Sequence, residues 1–183
     1  RNPGMRERHW EELTTNTGKD LVQATKPEFT LTKLRTMCLE DNIESVTKTC
    51  DTAGKEYAIE QAMDKMEGEW KGVNLEIVAY RETGTYVLKG FDLVQQLLDD
   101  HIVKSQTMQG SPSIKPFEER AKAWSTKLVL IQDLIDIWLK VQGVWQYLEP
   151  IFGSEDIMRQ MPEEGKLFKN KNKNQPIGRG NIQ

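Results

Sequence analysis

The sequence predicts a mainly α fold, an elongated helical bundle carrying one small β-hairpin at about residues 73–89. Three observations predict it. Apolar residues recur at spacings of three and four over most of the chain, the mark of helices that bury one face. One stretch changes to alternation on either side of a glycine turn. Of 183 residues, 37% are hydrophobic and 29% charged, which suits long helices with solvated faces or a block that docks on something larger.

From the start, Met5 to Leu13 reads as a short helix end with Trp10 and Leu13 as its apolar residues, and polar Thr14 to Pro27 as a loop broken by Gly18 and Pro27. Thr30 has the chemistry of an N-cap, with Phe29 and Leu34 spaced as a hydrophobic staple and Leu31, Leu34, Met37 and Cys38 on one face. A longer helix is expected from about Asn42 to Trp70. Its stripe Ile43, Val46, Cys50, Ala53, Tyr57 shifts by two residues before Ile59, Met63, Met66 and Trp70. Gly54 lies at the shift, and a mid-helix glycine costs about 1 kcal/mol against alanine, so a bend or break is expected there.

Val73, Leu75, Ile77 and Ala79 then alternate with their neighbours, and Thr85 to Leu88 follow the turn Arg81-Glu82-Thr83-Gly84, which makes the hairpin. A helix resumes near Phe91 with Val94, Leu98 and Ile102 on its face, widened by Leu97. Gln109 to Ser113 is a break, and Pro116 suits the first turn of the next helix.

That helix is the strongest element. Phe117, Ala121, Trp124, Leu128, Ile131, Ile135, Trp138 and Trp145 form one stripe, and Leu130, Leu134, Ile137, Val141, Val144 and Leu148 a second. The stripes lie about 100° apart, so a wide buried face is expected, the spine of a bundle rather than a narrow two-stranded seam. Pro150 is expected to end it. Ser154 can cap a last helix, Glu155 to Met161, which Pro162 stops. From Lys169 the chain turns to Lys and Asn and reads as a disordered basic tail, 169–183.

The chemistry is sparse. Twenty-five basic and 28 acidic residues give a net charge of −3, without the basic excess of a nucleic-acid binder. Cys38 and Cys50 read as buried, reduced thiols within helices, and two histidines are too few for a zinc site or a triad argument. Gly18-Lys19 and Gly54-Lys55 lack the upstream glycine and following hydroxyl of a phosphate-binding loop. Asp99-Asp100-His101 cannot converge on one ion, because consecutive helical residues point about 100° apart; a polar helix face is the expectation. No catalytic, cofactor-binding or metal-ligating residue is assigned. No apolar run approaches the roughly 20 residues of a membrane span. The first residue is not Met, which suggests a chain cut from a longer one.

Several motifs in order resemble one family. They are Met108-Gln109-Gly110-Ser111-Pro112, Lys115-Pro116-Phe117, Trp124, Trp138-Leu139-Lys140-Val141-Gln142, Trp145 and Tyr147-Leu148-Glu149-Pro150-Ile151-Phe152. Ser154-Glu155-Asp156-Ile157-Met158 and Gln160-Met161-Pro162-Glu163-Glu164 continue the series. Upstream stand Arg8-His9-Trp10, Phe29-Thr30-Leu31, Ala53-Gly54-Lys55-Glu56-Tyr57 and Trp70, and the hairpin with Val87-Leu88-Lys89-Gly90 also fits. From about Asn2 to Phe168 the chain resembles the linker of dynein heavy chains, in a form closer to the axonemal type.

The resemblance implies a linker-type bundle over 1–168, with an N-terminal stretch over 1–70, the hairpin 73–89 and C-terminal helices 91–161. It implies a non-catalytic mechanical segment of an arm that crosses a ring of AAA+ modules and moves during the ATP-driven power stroke. The ring of the same heavy chain is then an intramolecular partner. Other dynein subunits and microtubules are reached only indirectly, and neither nucleic acid nor membrane is a partner. The implied location is cytoplasmic and cytoskeletal, in the axoneme of a cilium. Trp124, Leu128, Ile131, Ile135, Trp138 and Trp145 would form the stiff spine, with Gly54 and Gly110 as candidate flex points. After Phe168 the chain departs from the family pattern. This leaves a second reading, a free-standing truncated helical interaction protein derived from a dynein transcript.

Overall fold

A computed structural model describes residues 2–26 and 28–174. Pro27 and the stretch of the expected tail at 175–183 lie outside the described residues. The fold is mainly α with one hairpin: α1 (Glu7–Thr17), α2 (Leu31–Thr36), α3 (Ile43–Trp70), β1 (Glu76–Tyr80), β2 (Thr85–Lys89), α4 (Asp92–Gln109), α5 (Glu118–Gly153), α6 (Glu155–Gln160) and α7 (Pro162–Asn174). Short 3-10 turns lie at Val22–Thr25, Leu39–Asn42 and Pro112–Phe117. The chain forms two compact units, one from residues 2–71 and 105–123, the other from 72–104 and the described residues from 124 onward. No helix among the described residues is long and apolar enough to cross a membrane.

In the first unit α1 runs past the expected helix end to Thr17, and Gly18 closes it in the left-handed region (φ 67°), its N–H bonded to the Thr14 carbonyl at 2.9 Å. A glycine after the last turn needs no Cβ penalty there. Thr30 caps α2 as expected, its Oγ1 accepting from the Lys33 N–H at 3.3 Å. Cys38 is exposed, outside any helix and at positive φ, and Cys50 is half-buried; both thiols are free, but neither is buried as expected.

The expected break at Gly54 is absent: α3 is continuous over 28 residues. The residues it buries are Thr49, Ala53, Glu56, Ile59, Met63 and Met66, an unbroken three-four stripe. The seat that the apolar pattern assigns to Tyr57 is taken by Glu56. A charged residue at a core position masks the period.

In the second unit β1 and β2 pair antiparallel, from Glu76↔Lys89 to Tyr80↔Thr85, around a turn with Arg81 (φ 50°) and Gly84 (φ 72°) on the left-handed side. Of α4, Val94 and Leu98 are buried, and so is His101, at 0% exposure, while Asp99 and Asp100 are exposed. The polar face expected at 99–101 therefore splits: the two carboxylates face water and the imidazole belongs to the buried stripe.

Pro116 falls in the 3-10 turn, and α5 begins at Glu118. Pro150 does not end α5, which continues to Gly153. A proline so near the end gives up one intrahelical bond, and its fixed φ is already helical. Pro162 both stops α6 and opens α7, where its missing N–H would be unpaired anyway. Residues 169–174, expected in a disordered tail, are helical. Phe168 of α7 stacks on Phe152 at 5.0 Å, which anchors the helix.

The wide buried face of α5 is only half present. Leu128, Ile135 and Trp145 of the first stripe are buried. The second stripe is solvent-facing, with Leu130, Leu134, Ile137, Val141 and Val144 all between 51% and 60% exposed. The periodicity names both apolar stripes correctly, but it cannot say what is present to cover each.

Candidate functional site

In the first unit, motif fragments far apart in sequence meet on one buried carboxylate. Glu56, from the middle of α3, accepts on Oε2 from the Nε of Arg8 at 3.1 Å and from its Nη2. The same oxygen lies 3.0 Å from His9 Nε2. His9, at 2% exposure, receives the Arg6 backbone N–H on Nδ1 at 3.0 Å. Nδ1 is thus an acceptor, so Nε2 carries the proton and donates to Glu56. His9 also satisfies one of the free N–H groups at the start of α1, the reciprocal half of a capping box. One imidazole ties a helix start to the core of α3.

Further contacts extend this junction. Arg6 pairs with Glu60 at 2.7 Å, and the Arg8 guanidinium sits 5.8 Å from the Phe117 ring centre. Arg120 grips α3 at Asp64 (2.7 Å) and Glu67 (3.0 Å). The hydrogen bond to Glu67 first, then that to Asp64, holds the guanidinium further above its usual range. Asn2 donates to the Cys50 carbonyl at 2.9 Å, and Gly4 lies against α3 so closely that a Cβ there would be 2.8 Å from that of Tyr57 and closer still to the Ala53 oxygen. A cleft of about 420 Å³ beside the junction is lined by Arg8, His9, Glu12, Lys55, Glu56 and Lys115 among others.

The second unit has its own polar clamp. Gln142, 9% exposed, lies on the buried side of α5 between Trp138 and Trp145. Its Oε1 accepts from the Leu88 N–H at 2.7 Å, and its Nε2 donates to the Leu88 carbonyl at 3.0 Å. Both backbone groups of Leu88 therefore point away from β1, as in a non-hydrogen-bonded antiparallel pair. The side-chain amide reproduces what a third strand would offer. Tyr80 packs edge-on against Trp145 (5.3 Å, 75°), and Arg81 reaches Glu149 at 3.7 Å. Gln142→Ala is expected to lower stability by about 2 kcal/mol, since two buried backbone groups lose their partner. Urea unfolding followed by circular dichroism checks this, and a loss under about 0.5 kcal/mol would mean the amide is dispensable.

Of the spine residues, Leu128, Ile135 and Trp145 are buried and Trp124, Ile131 and Trp138 half-buried. The indole N–H groups of Trp124 and Trp138 are enclosed without a hydrogen-bond partner among the described residues, so packing alone holds those rings. Gly54 lies inside α3, and Gly110 directly after α4. Sequence reasoning does not single out Glu56, His9 or Gln142 as a site. The available signal is a polar residue standing where the helical period asks for an apolar one.

The arrangement holds helices and a hairpin in register. Among the described residues no group of three or more His, Cys, Asp or Glu side chains could hold a metal ion. The family model described as dynein heavy chain, N-terminal region 2, matches residues 1–175, so the likeness runs past Phe168 into the Lys/Asn-rich stretch. The chain is 51% identical over 168 residues to dynein axonemal heavy chain 1 of Mus musculus, covering 92% of this chain and 4% of that protein. It is 48% identical over 164 residues to dynein axonemal heavy chain 12 of Rattus norvegicus (90% and 5%), and 44% identical over 169 residues to dynein axonemal heavy chain 3 of Homo sapiens (91% and 4%). The chain thus spans a small fraction of the length of these relatives.

Proposed function

Because the chain belongs to the axonemal dynein heavy chains, as a segment of their N-terminal region 2, we propose that it is a non-catalytic mechanical element. It belongs to the linker arm that moves over the AAA+ ring of the same heavy chain during the ATP-driven power stroke, in the axoneme of cilia and flagella. The observation that carries this reading is the family match over residues 1–175. The helices support it: α3 and α5, of 28 and 36 residues, are on the order of 42 and 54 Å long. Their cross-links at Glu56, Arg120 and Gln142 suit an element that carries force rather than substrate.

The test is made in the full heavy chain, with microtubule gliding and ATP turnover measured on the same preparation. Replacing Leu128 and Ile135 together by Asp disrupts the buried stripe of α5. Gliding is expected to slow several-fold while basal ATP turnover persists. Unchanged gliding sinks the mechanical reading, and ATP turnover by the purified 183-residue chain above background sinks the non-catalytic one.

The arm's flexing is assigned to Gly54 and Gly110. A Cβ at Gly54 would meet only the Asn2 side chain, at 3.9 Å. Gly54→Ala is therefore expected to stabilise the chain by about 0.5–1 kcal/mol. It is also expected to reduce gliding velocity in the full motor. A stabilised variant with unaltered gliding would remove Gly54 as a flex point.

A further inference from the structure

We propose that the exposed stripe of α5 is a docking seam for one amphipathic α-helix supplied by the same heavy chain outside this segment. Leu130, Leu134, Ile137, Val141, Val144 and Leu148 follow one another at 4, 3, 4, 3, 4, the spacing of a seam that one partner helix fills with knobs into holes. The first five are exposed to a nearly equal degree, 51–60%, so the seam is an even strip about 21 Å long, with the half-buried Leu148 at its end. It directly adjoins the buried stripe of Leu128, Ile135 and Trp145, and a helix laid on it would extend an apolar interior already formed in this unit. A contiguous apolar strip of this kind on a chain with 29% charged residues marks an interaction surface.

The rim specifies the occupant further. Asp133 and Lys140 are exposed along the solvent-side edge of the seam, and neither has an ion-pair partner among the described residues. An occupant with apolar residues at three-four spacing, a Lys or Arg opposite Asp133 and an Asp or Glu opposite Lys140 satisfies both seam and rim, and the charges fix its register. The source is the same polypeptide because the relatives continue for many times the matched length, 168 residues being 4% of the mouse protein. A helix in the same chain reaches the seam at high effective concentration. This inference rests on the segment working within a full heavy chain, and its test reads neither motion nor turnover.

A photo-reactive phenylalanine analogue is placed at position 137 in the full heavy chain, and at position 136 as an off-seam control. Equal amounts of normal and heavy-nitrogen chains are mixed before irradiation, and the linked peptides are identified by mass spectrometry. The expected result is a position-137 link to one three-four patterned peptide, with both halves carrying the same isotope. Leu134→Asp should lower its yield at least tenfold, and Leu134→Ile should preserve it. Mixed-isotope links would assign the seam to a second copy, links to another polypeptide would assign it to a separate subunit, and an absence of links would leave the strip bare; each overturns the proposal. A same-chain link together with unchanged gliding in the Asp variants above would retain the seam and reject the lever.

Discussion

Leu128→Ala is expected to lower the free energy of unfolding by about 3–4 kcal/mol, whereas Leu134→Ala, further along the same helix, lowers it by about 0.5 kcal/mol or less. The contrast follows from burial alone. Leu128 is 0% exposed, so truncation forfeits its transfer free energy and leaves a cavity. Leu134 is 57% exposed, and shortening it removes little that was out of water. Urea denaturation of the two variants decides the matter. Equal losses would mean that the second stripe is covered in this chain, and the docking seam would disappear with it.

Glu56→Ala is expected to cost about 3 kcal/mol, for the following reason. The substitution strands the His9 Nε2–H, buried at 2% exposure, and removes the acceptor of Arg8. Loss of one member of a buried charged pair costs about 3–5 kcal/mol when the other stays enclosed. Arg8, with its side chain 42% exposed, can turn to water, which places the expected loss at the low end. The Arg8 and His9 contacts converge on one oxygen. Glu56→Gln therefore retains an acceptor in the same place and should cost roughly 1 kcal/mol, the difference being the charge. Thermal and urea unfolding of both variants would check this. A loss under about 1 kcal/mol for the alanine variant would show that the junction only decorates α3.

What the sequence disclosed, and what it hid, follow from the same rule. Regular period made the hairpin, the capped α2 and the first stripe of α5 legible, since each rests on local pattern. Among the features the period hides, three sit where a polar side chain takes a core seat. Glu56 in α3 looked like a phase break at Gly54. His101 in α4 was grouped with the exposed Asp99 and Asp100. Gln142 left an empty step between Trp138 and Trp145. A polar residue is admitted there only because a distant partner satisfies it, and that partner is invisible to a local window. Pro150 misled in the other direction: a proline is punctuation only when the turn around it has hydrogen bonds to lose, and α5 runs on through it to Gly153. The mechanical reading draws on the family resemblance, since composition and period alone identify a helical bundle and no more.

The Gln142 clamp has a bearing on solubility as well as on the fold. A two-stranded hairpin has two open flanks, and each is a template on which another extended chain can grow. The amide on Leu88 occupies one of these flanks with a side chain that cannot itself be extended. A chain lacking that amide would offer a free strand margin beside Val87 and Leu88, apolar residues that are buried in the fold. Self-association into β-rich aggregates is then expected to compete with refolding.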